Sequence, residues 1–114
     1  MTIEQLIEKL KNSPEQIEFS EVIATIDEHY DFMLTAFKNG DTHNEAGQNS
    51  GSCKLFAFAK LEGFDKDQTL ACFGTFYRKD VLENPTGDNH QNIRNFMKYG
   101  WGGIHFEDVV LKMK

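Results

Sequence analysis

The sequence predicts a mainly α (α+β) fold: a single compact domain, residues 1–114, of about five helices with one minor two-stranded β element. Capping patterns stand before several stretches whose apolar residues recur at helical spacing. Residues 53–62 are apolar on nearly every side, which indicates a central, buried helix. Alternating apolar residues, typical of strands, occur only around Phe32–Phe37 and near the C-terminal end. A chain of 114 residues leaves room for one domain.

Two amphipathic helices are predicted in the first 30 residues. Thr2 and Gln5 have the spacing of a capping box, and the apolar stripe of the first helix follows at Ile3, Leu6, Ile7 and Leu10. This helix is expected to end before Pro14, because the residue that precedes a proline avoids the helical conformation. Ser20 is the predicted N-cap of the second helix, whose inner face consists of Val22, Ile23, Ile26 and Tyr30.

The middle of the chain is predicted to form a strand, a polar loop and the central helix. The strand covers Phe32–Phe37 and the loop covers residues 38–52. The third helix is expected over Cys53–Glu62, with Gly51 or Ser52 as its N-cap. Gly63 then ends it, since glycine is the usual residue after a helix C-terminus.

Two more helices and a strand complete the chain. Asp65 and Gln68 form a second capping box, before a helix whose inward-facing residues are Leu70, Phe73, Phe76 and Tyr77. Gly74 permits a close neighbour on that helix. Residues 84–87 are expected to turn, and Asp88 to cap the fifth helix, whose core face is Ile93, Phe96 and Met97. A last strand within residues 104–111 is placed beside the strand near Phe37.

The polar segment of residues 38–52 is the first candidate for a binding site. It has fifteen residues and only one apolar side chain, Ala46. Connections of about 12–15 residues without secondary structure are uncommon in compact domains and are often functional. Side-chain amides offer both donors and acceptors, and the four in this segment are predicted to contact a protein or a small polar ligand: Asn39, Asn44, Gln48 and Asn49.

The fifth helix supplies the second candidate surface. His90, Arg94 and Lys98 recur every four residues and therefore share one face, with Asn92 close by. Arg94 can hold a carboxylate or phosphate with two parallel hydrogen bonds, or it can bind structural carbonyls instead. Trp101 can line a cleft against the polar segment or pack at the edge of the core. We predict binding through His90, Asn92, Arg94 and Trp101.

The leading hypothesis is a non-catalytic interaction domain that uses the loop of residues 39–52 and the helix of residues 90–98. The alternative is a cysteine-nucleophile enzyme or a small-ligand-binding protein centred on Cys53 and His90. A cysteine at a helix N-terminus has a lowered thiol pKa, because the helix dipole favours the thiolate. His90 or His43 would then act as the base, with Asp88 or Asn92 to orient the imidazole of residue 90. The competing interpretation is that Cys53 fills a small space in the core. Cys72 stands among apolar residues and is expected to be a core thiol.

The composition excludes several classes of protein. The formal net charge of −6 disfavours duplex nucleic acid and anionic membranes as partners. No spacing of His or Cys residues matches a metal site, so we predict neither a metal nor a cofactor. Two cysteines without a disulfide framework are typical of a reducing compartment. The first residues lack the pattern of a Sec signal peptide, and the predicted location is the cytoplasm.

Three long and unusual stretches resemble a known family. NEAGQNSGSCKLFAFAKLEGF, TLACFGTFYRKDVLENPTG and HQNIRNFMKYGWGGIHFE are similar to sequences of the HopJ type III effector family, and the resemblance extends from TIEQLIEKL to the final strand. It implies a small single domain and delivery through a type III secretion system. It supplies no catalytic or ligand-binding residues. The helix predicted from Thr2 leaves little flexible leader for export, so we expect a role inside the cell that makes the protein.

Overall fold

Five α-helices form the largest part of the fold. A computed structural model describes residues 1–114. The helices are α1 (Ile3–Asn12), α2 (Phe19–His29), α3 (Ser50–Glu62), α4 (Lys66–Ala71) and α5 (Gln91–Tyr99). Three further helical segments are the 3₁₀ turns Pro14–Gln16 and Gly100–Gly103 and the π-helical segment Phe76–Val81. The radius of gyration is 13.2 Å, as expected for one compact domain of this length.

Five short strands form two antiparallel sheets. They are β1 (Tyr30–Phe32), β2 (Phe37–Asn39), β3 (Thr42–Asn44), β4 (Ile104–Phe106) and β5 (Leu111–Met113). One sheet has the order β1–β5 and the other the order β3–β2–β4. The predicted fold class is confirmed, with more strands than the single β element expected. The predicted pairing of the last part of the chain with the strand near Phe37 is also confirmed, since Phe37 pairs with Phe106.

The strand predicted over Phe32–Phe37 is two strands in different sheets. Between them the chain changes direction, and the Thr35 hydroxyl donates to the carbonyl oxygens of Met33 and Val109. The alternation of apolar residues in this stretch was therefore a misleading signal. Most of the polar segment is also ordered: Phe37–Asn39 and Thr42–Asn44 pair as a hairpin, and α3 begins at Ser50.

The central position of α3 is confirmed. Its residues from Leu55 to Ala59 are all buried. The ring of Phe56 lies at the centre of an aromatic cluster, with ring centroids 5.0–6.4 Å away in Phe37, Phe73, Phe96 and Trp101. Leu61 lies at the outer end of the helix and is 61% exposed.

The starts of the first and fourth helices, which were predicted from capping boxes, are confirmed. Thr2 with Gln5 and Asp65 with Gln68 make the reciprocal bonds predicted for them. The other three predicted caps are wrong. The second helix is capped by Glu18 rather than Ser20, the third by Asn49 rather than Gly51 or Ser52, and the fifth by His90 rather than Asp88.

Gly74 follows α4 and makes a close backbone contact with the start of α2. Its φ of +61° is left-handed, and a Cβ built on it would lie 2.8 Å from the Cα of Glu18. The start of α2 therefore packs directly on this glycine, which confirms the predicted close neighbour. The helix does not continue to Tyr77, and Phe76 is 40% exposed rather than buried. None of the helices has the length and apolar character needed to cross a lipid bilayer.

Candidate functional site

Buried asparagines join the polar segment to α5. Asn39 Nδ2 donates to the carbonyl oxygen of Asn92 at 2.8 Å and to its Oδ1 at 3.0 Å. Asn44 and Asn92 exchange two side-chain hydrogen bonds, of 3.2 and 3.1 Å. Asn49 Nδ2 donates to Asn44 Oδ1 at 2.7 Å, and Asn95 Nδ2 donates to the carbonyl oxygen of Asn39 at 3.1 Å. This asparagine network holds the β2–β3 hairpin, α5 and the start of α3 together.

A cavity of about 280 Å³ lies beside the asparagine network. Its walls come from both segments that the sequence singled out, from the start of α2 and from residues that follow α4. The residues that line it are Phe19, Thr42, Asn49, Ser52, Phe73, Phe76, His90, Gln91, Asn92 and Ile93. Asn39 and Asn44 are not among them: their buried amides support the wall from behind.

The polar wall of the cavity contains the starts of two helices. Asn49 and His90 are the N-caps of α3 and α5, and they are the only residues other than glycine with positive φ, at 51° and 52°. Neither side chain caps its own helix. As a result, the backbone N–H groups at the two starts have no hydrogen-bond partner within the protein, namely those of Ser50, Gly51, Ser52, Gln91 and Asn92.

The opposite wall is aromatic. Phe19 stacks on Phe73 with ring centroids 5.8 Å apart, and it meets Phe76 edge-on at 5.4 Å. Gly51 leaves room for Phe19, since a Cβ built on this glycine would lie 2.8 Å from the ring. The cavity therefore has one face of hydrogen-bonding groups and one face of rings, a combination typical of small-molecule sites.

His90 connects the two walls. Its ring lies 5.2 Å from the ring of Phe76, and its Nε2 is 3.1 Å from Asp80 Oδ2. It is the only titratable side chain among the residues that line the cavity. No hydrogen bond joins His90 to the hydroxyl groups of Thr42 or Ser52.

The structure removes the physical basis for Cys53 as a nucleophile. Because α3 begins at Ser50, Cys53 lies in the second half of the first turn, and its N–H already bonds to the carbonyl oxygen of Asn49. Its side chain is 1% exposed, and its Sγ lies 3.8 Å from the carbonyl oxygen of Thr35. Burial raises the pKa of the Cys53 thiol to about 11, the opposite of the lowered pKa predicted from the sequence.

The other predicted site residues lie away from the cavity. Arg94 donates to the carbonyl oxygen and side chain of Asn89 at 2.6 and 2.8 Å, so it holds the preceding turn and does not meet the loop amides. Trp101 packs on the core and donates to the carbonyl oxygen of Phe64 at 3.0 Å. Gln48 and His43 are exposed, and His43 lies 3.3 Å from Glu45.

Several residues of the cavity were not predicted as site residues. Phe73 and Phe76 looked like core positions of one helix, and Phe19 stands before the helix start expected at Ser20. Thr42 and Ser52 lie within the polar segment, but nothing in their spacing distinguishes them from their neighbours. No group of three or more His, Cys, Asp or Glu side chains is arranged to hold a metal ion.

Comparison with known proteins places the chain in a family. A family model described as HopJ type III effector protein matches residues 3–111. A solved structure, described as the crystal structure of the unknown function protein VPA0580, shares 54% sequence identity with this chain and has a TM-score of 0.98. The similarity covers 100% of this chain and 95% of that one. No curated protein matches. The family match spans nearly the whole sequence, and the chain therefore belongs to the HopJ type III effector family.

Proposed function

We propose that this protein is a non-catalytic binding domain that holds a small polar ligand in the cavity between residues 39–52 and the start of α5. The observation that carries the proposal is that both segments wall the same cavity of about 280 Å³. This volume is near the lower end of the range for small-molecule sites, so the ligand is a small metabolite and not a drug-sized molecule.

The chemistry of the polar wall favours a ligand with hydrogen-bond acceptors. Among the residues that line the cavity, Ser52, Gln91 and Asn92 have unpaired backbone N–H groups, which are donors, and each helix start adds the positive end of its dipole. Asn49, Ser52 and Gln91 extend the set with side-chain donors. No lysine or arginine lines the cavity, so selectivity comes from directed hydrogen bonds and not from a salt bridge.

The same wall argues for binding rather than catalysis. A nucleophile needs a base within hydrogen-bond reach, although the distance is often longer in the absence of substrate. No hydroxyl group of the wall is hydrogen-bonded to the imidazole of His90, whose Nε2 lies against Asp80, and the buried thiols take no part in the wall. The asparagine network adds support, because it holds the wall in place and so reduces the conformational entropy lost on binding.

A variant that fills the cavity tests the proposal. Gln91 is exposed at the first position of α5 and lines the cavity, so a tryptophan at this position is expected to occupy it without disturbing the core. Equilibrium dialysis of the purified protein against a small-molecule extract, read by mass spectrometry, should show enrichment of one class of compound. We expect Gln91→Trp to lose at least nine-tenths of that enrichment.

Lys98→Trp is the matched control, since Lys98 is exposed on the same helix and lies outside this cavity. It should enrich the same compounds as the wild type. Enrichment that survives in Gln91→Trp, or no enrichment by the wild type, would contradict the proposal. A domain that binds only a protein partner, through the outer surface of residues 39–52, would give the second of these results.

A further inference from the structure

A second cavity adjoins the first through its aromatic wall. It has a volume of about 150 Å³ and is lined by Glu18, Phe19, Ser20, Phe73, Thr75 and Phe76. Three of these residues, Phe19, Phe73 and Phe76, also line the first cavity. These three phenylalanines are the only residues that line both cavities, and their rings separate one cavity from the other.

The rings that separate the cavities differ in how firmly they are held. Phe73 is 1% exposed and packs between Phe19 and Phe56, with centroids at 5.8 and 5.4 Å. Phe76 is 40% exposed and contacts aromatic rings only in Phe19 and His90. Phe73 is thus the floor beneath both cavities, and Phe76 is a partition whose side chain can change rotamer at the surface.

Phe76 also lies at an unusual place in the backbone. It is the first residue of the π-helical segment Phe76–Val81, and such segments are rare and occur frequently at functional sites. Its ring and that of His90 are tilted by 32° with centroids 5.2 Å apart, which leaves an aromatic surface facing the first cavity. A planar ligand group placed on this surface would cover apolar area that now contacts water.

We infer that the ligand carries a flat apolar ring that stacks against Phe76 and His90, with its outer edge directed toward the second cavity. The inference deepens the function proposed above and rests on it. The hydrogen-bond acceptors of the ligand meet the starts of α3 and α5, and the ring determines which of the ligands that carry such acceptors are bound. The ring end is uncharged, because the one charged group lining the second cavity, Glu18, is already bound by Thr75 and Arg78.

Four carboxylates of graded shape test this inference: acetate, cyclohexanecarboxylate, benzoate and naphthalene-2-carboxylate. Each is titrated into the ¹⁵N-labelled protein, and the amide shifts of Ser52, Gln91 and Phe76 report the site. We expect naphthalene-2-carboxylate to bind at least tenfold more tightly than acetate, with benzoate between them. Cyclohexanecarboxylate should bind more weakly than benzoate, since a saturated ring does not stack.

Phe76→Ala should weaken naphthalene-2-carboxylate at least fivefold and leave acetate unchanged. Leu82→Ala is the matched control. Leu82 is an apolar residue that is 47% exposed and directly follows the π-helical segment, and it lines neither cavity. It should bind all four probes as the wild type does. Circular dichroism of both variants checks that they are folded.

Equal affinities for all four probes, or a Phe76→Ala variant that binds the naphthalene probe normally, would overturn the inference. If acetate is the only probe that shifts the amide signals of Ser52 and Gln91, the proposed function stands and the inference of a stacked ring is wrong. If no probe binds, the ring is again wrong, and the dialysis experiment with Gln91→Trp decides the proposed function separately.

Discussion

Cys53 illustrates how the position of one helix start decides the chemistry of a side chain. A start at Cys53 would give an exposed thiol beside the positive end of the helix dipole, and its pKa would be lowered. The observed start at Ser50 places the same thiol against the carbonyl oxygen of Thr35, inside the core. Desolvation then dominates and raises the thiol pKa to about 11. Cys72 is equally buried, and its thiol pKa is raised to about 12.

Both thiols should therefore resist alkylation in the native state. The thiolate is the reactive form, and a thiol with a pKa near 11 is almost entirely protonated at pH 8. Iodoacetamide at pH 8 should label neither cysteine over a time in which glutathione reacts completely, and denaturant should expose both. Mass spectrometry after digestion measures each site. Rapid labelling of Cys53 in the native protein, with Cys72 protected, would restore the nucleophile hypothesis.

Among the elements, α3 is the one whose residues decide the stability of the fold. Phe56 contributes most, because its ring meets four others and is fully buried. Replacing it with alanine should lower the free energy of unfolding by about 3–5 kcal/mol, through lost burial and the cavity left behind. Leu61→Ala on the same helix is the control and should change it by less than about 0.5 kcal/mol. Urea titrations of the two variants measure both values, and similar midpoints would show that α3 is peripheral.

The elements also show what the sequence can predict. The capping boxes at Thr2 and Asp65 were predicted, because both partners of each box lie three residues apart and the pattern is local. The starts at Asn49 and His90 were not, since their side chains bond outside the first helical turn, to Asn44 five residues away and to Asp80 ten residues away, and form no capping pattern. Strands of three residues show too little alternation to be located from their own sequence.

For the candidate site, too, the sequence predicted only what local patterns record. The polar wall of the cavity contains residues that the sequence had put forward, because amide-rich segments and helix faces stand out in composition, and Asn92 is hydrogen-bonded to Asn39 of the polar segment. The aromatic wall was not predicted. Phe19, Phe73 and Phe76 resemble core residues until the turn at Gly74 and the close approach of α2 bring them to one wall. That approach is a contact between residues about 55 positions apart, which no local pattern records.

At the scale of the whole molecule, both sheets join distant parts of the chain. β1 pairs with β5, so Tyr30 lies opposite Met113, and β2 pairs with β4, so Phe37 lies opposite Phe106. The helices and strands share one core cluster of 23 buried residues, from Leu6 to Leu111. A part of the chain that left this cluster would expose the rest of it, which is the physical origin of cooperative unfolding in small domains.

The protein should therefore unfold in a single transition. Two signals report different parts: Trp101 is the only tryptophan and packs on Phe56 and Phe96, whereas far-UV circular dichroism reports the helices throughout. Urea curves from the two signals should coincide within error. Leu111→Ala, which removes buried contact from β5, should move both curves to lower urea by the same amount, because the loss is shared by the whole molecule. Curves that separate, with the helical signal lost at a different urea concentration from the fluorescence of Trp101, would show that the chain contains two units that unfold independently.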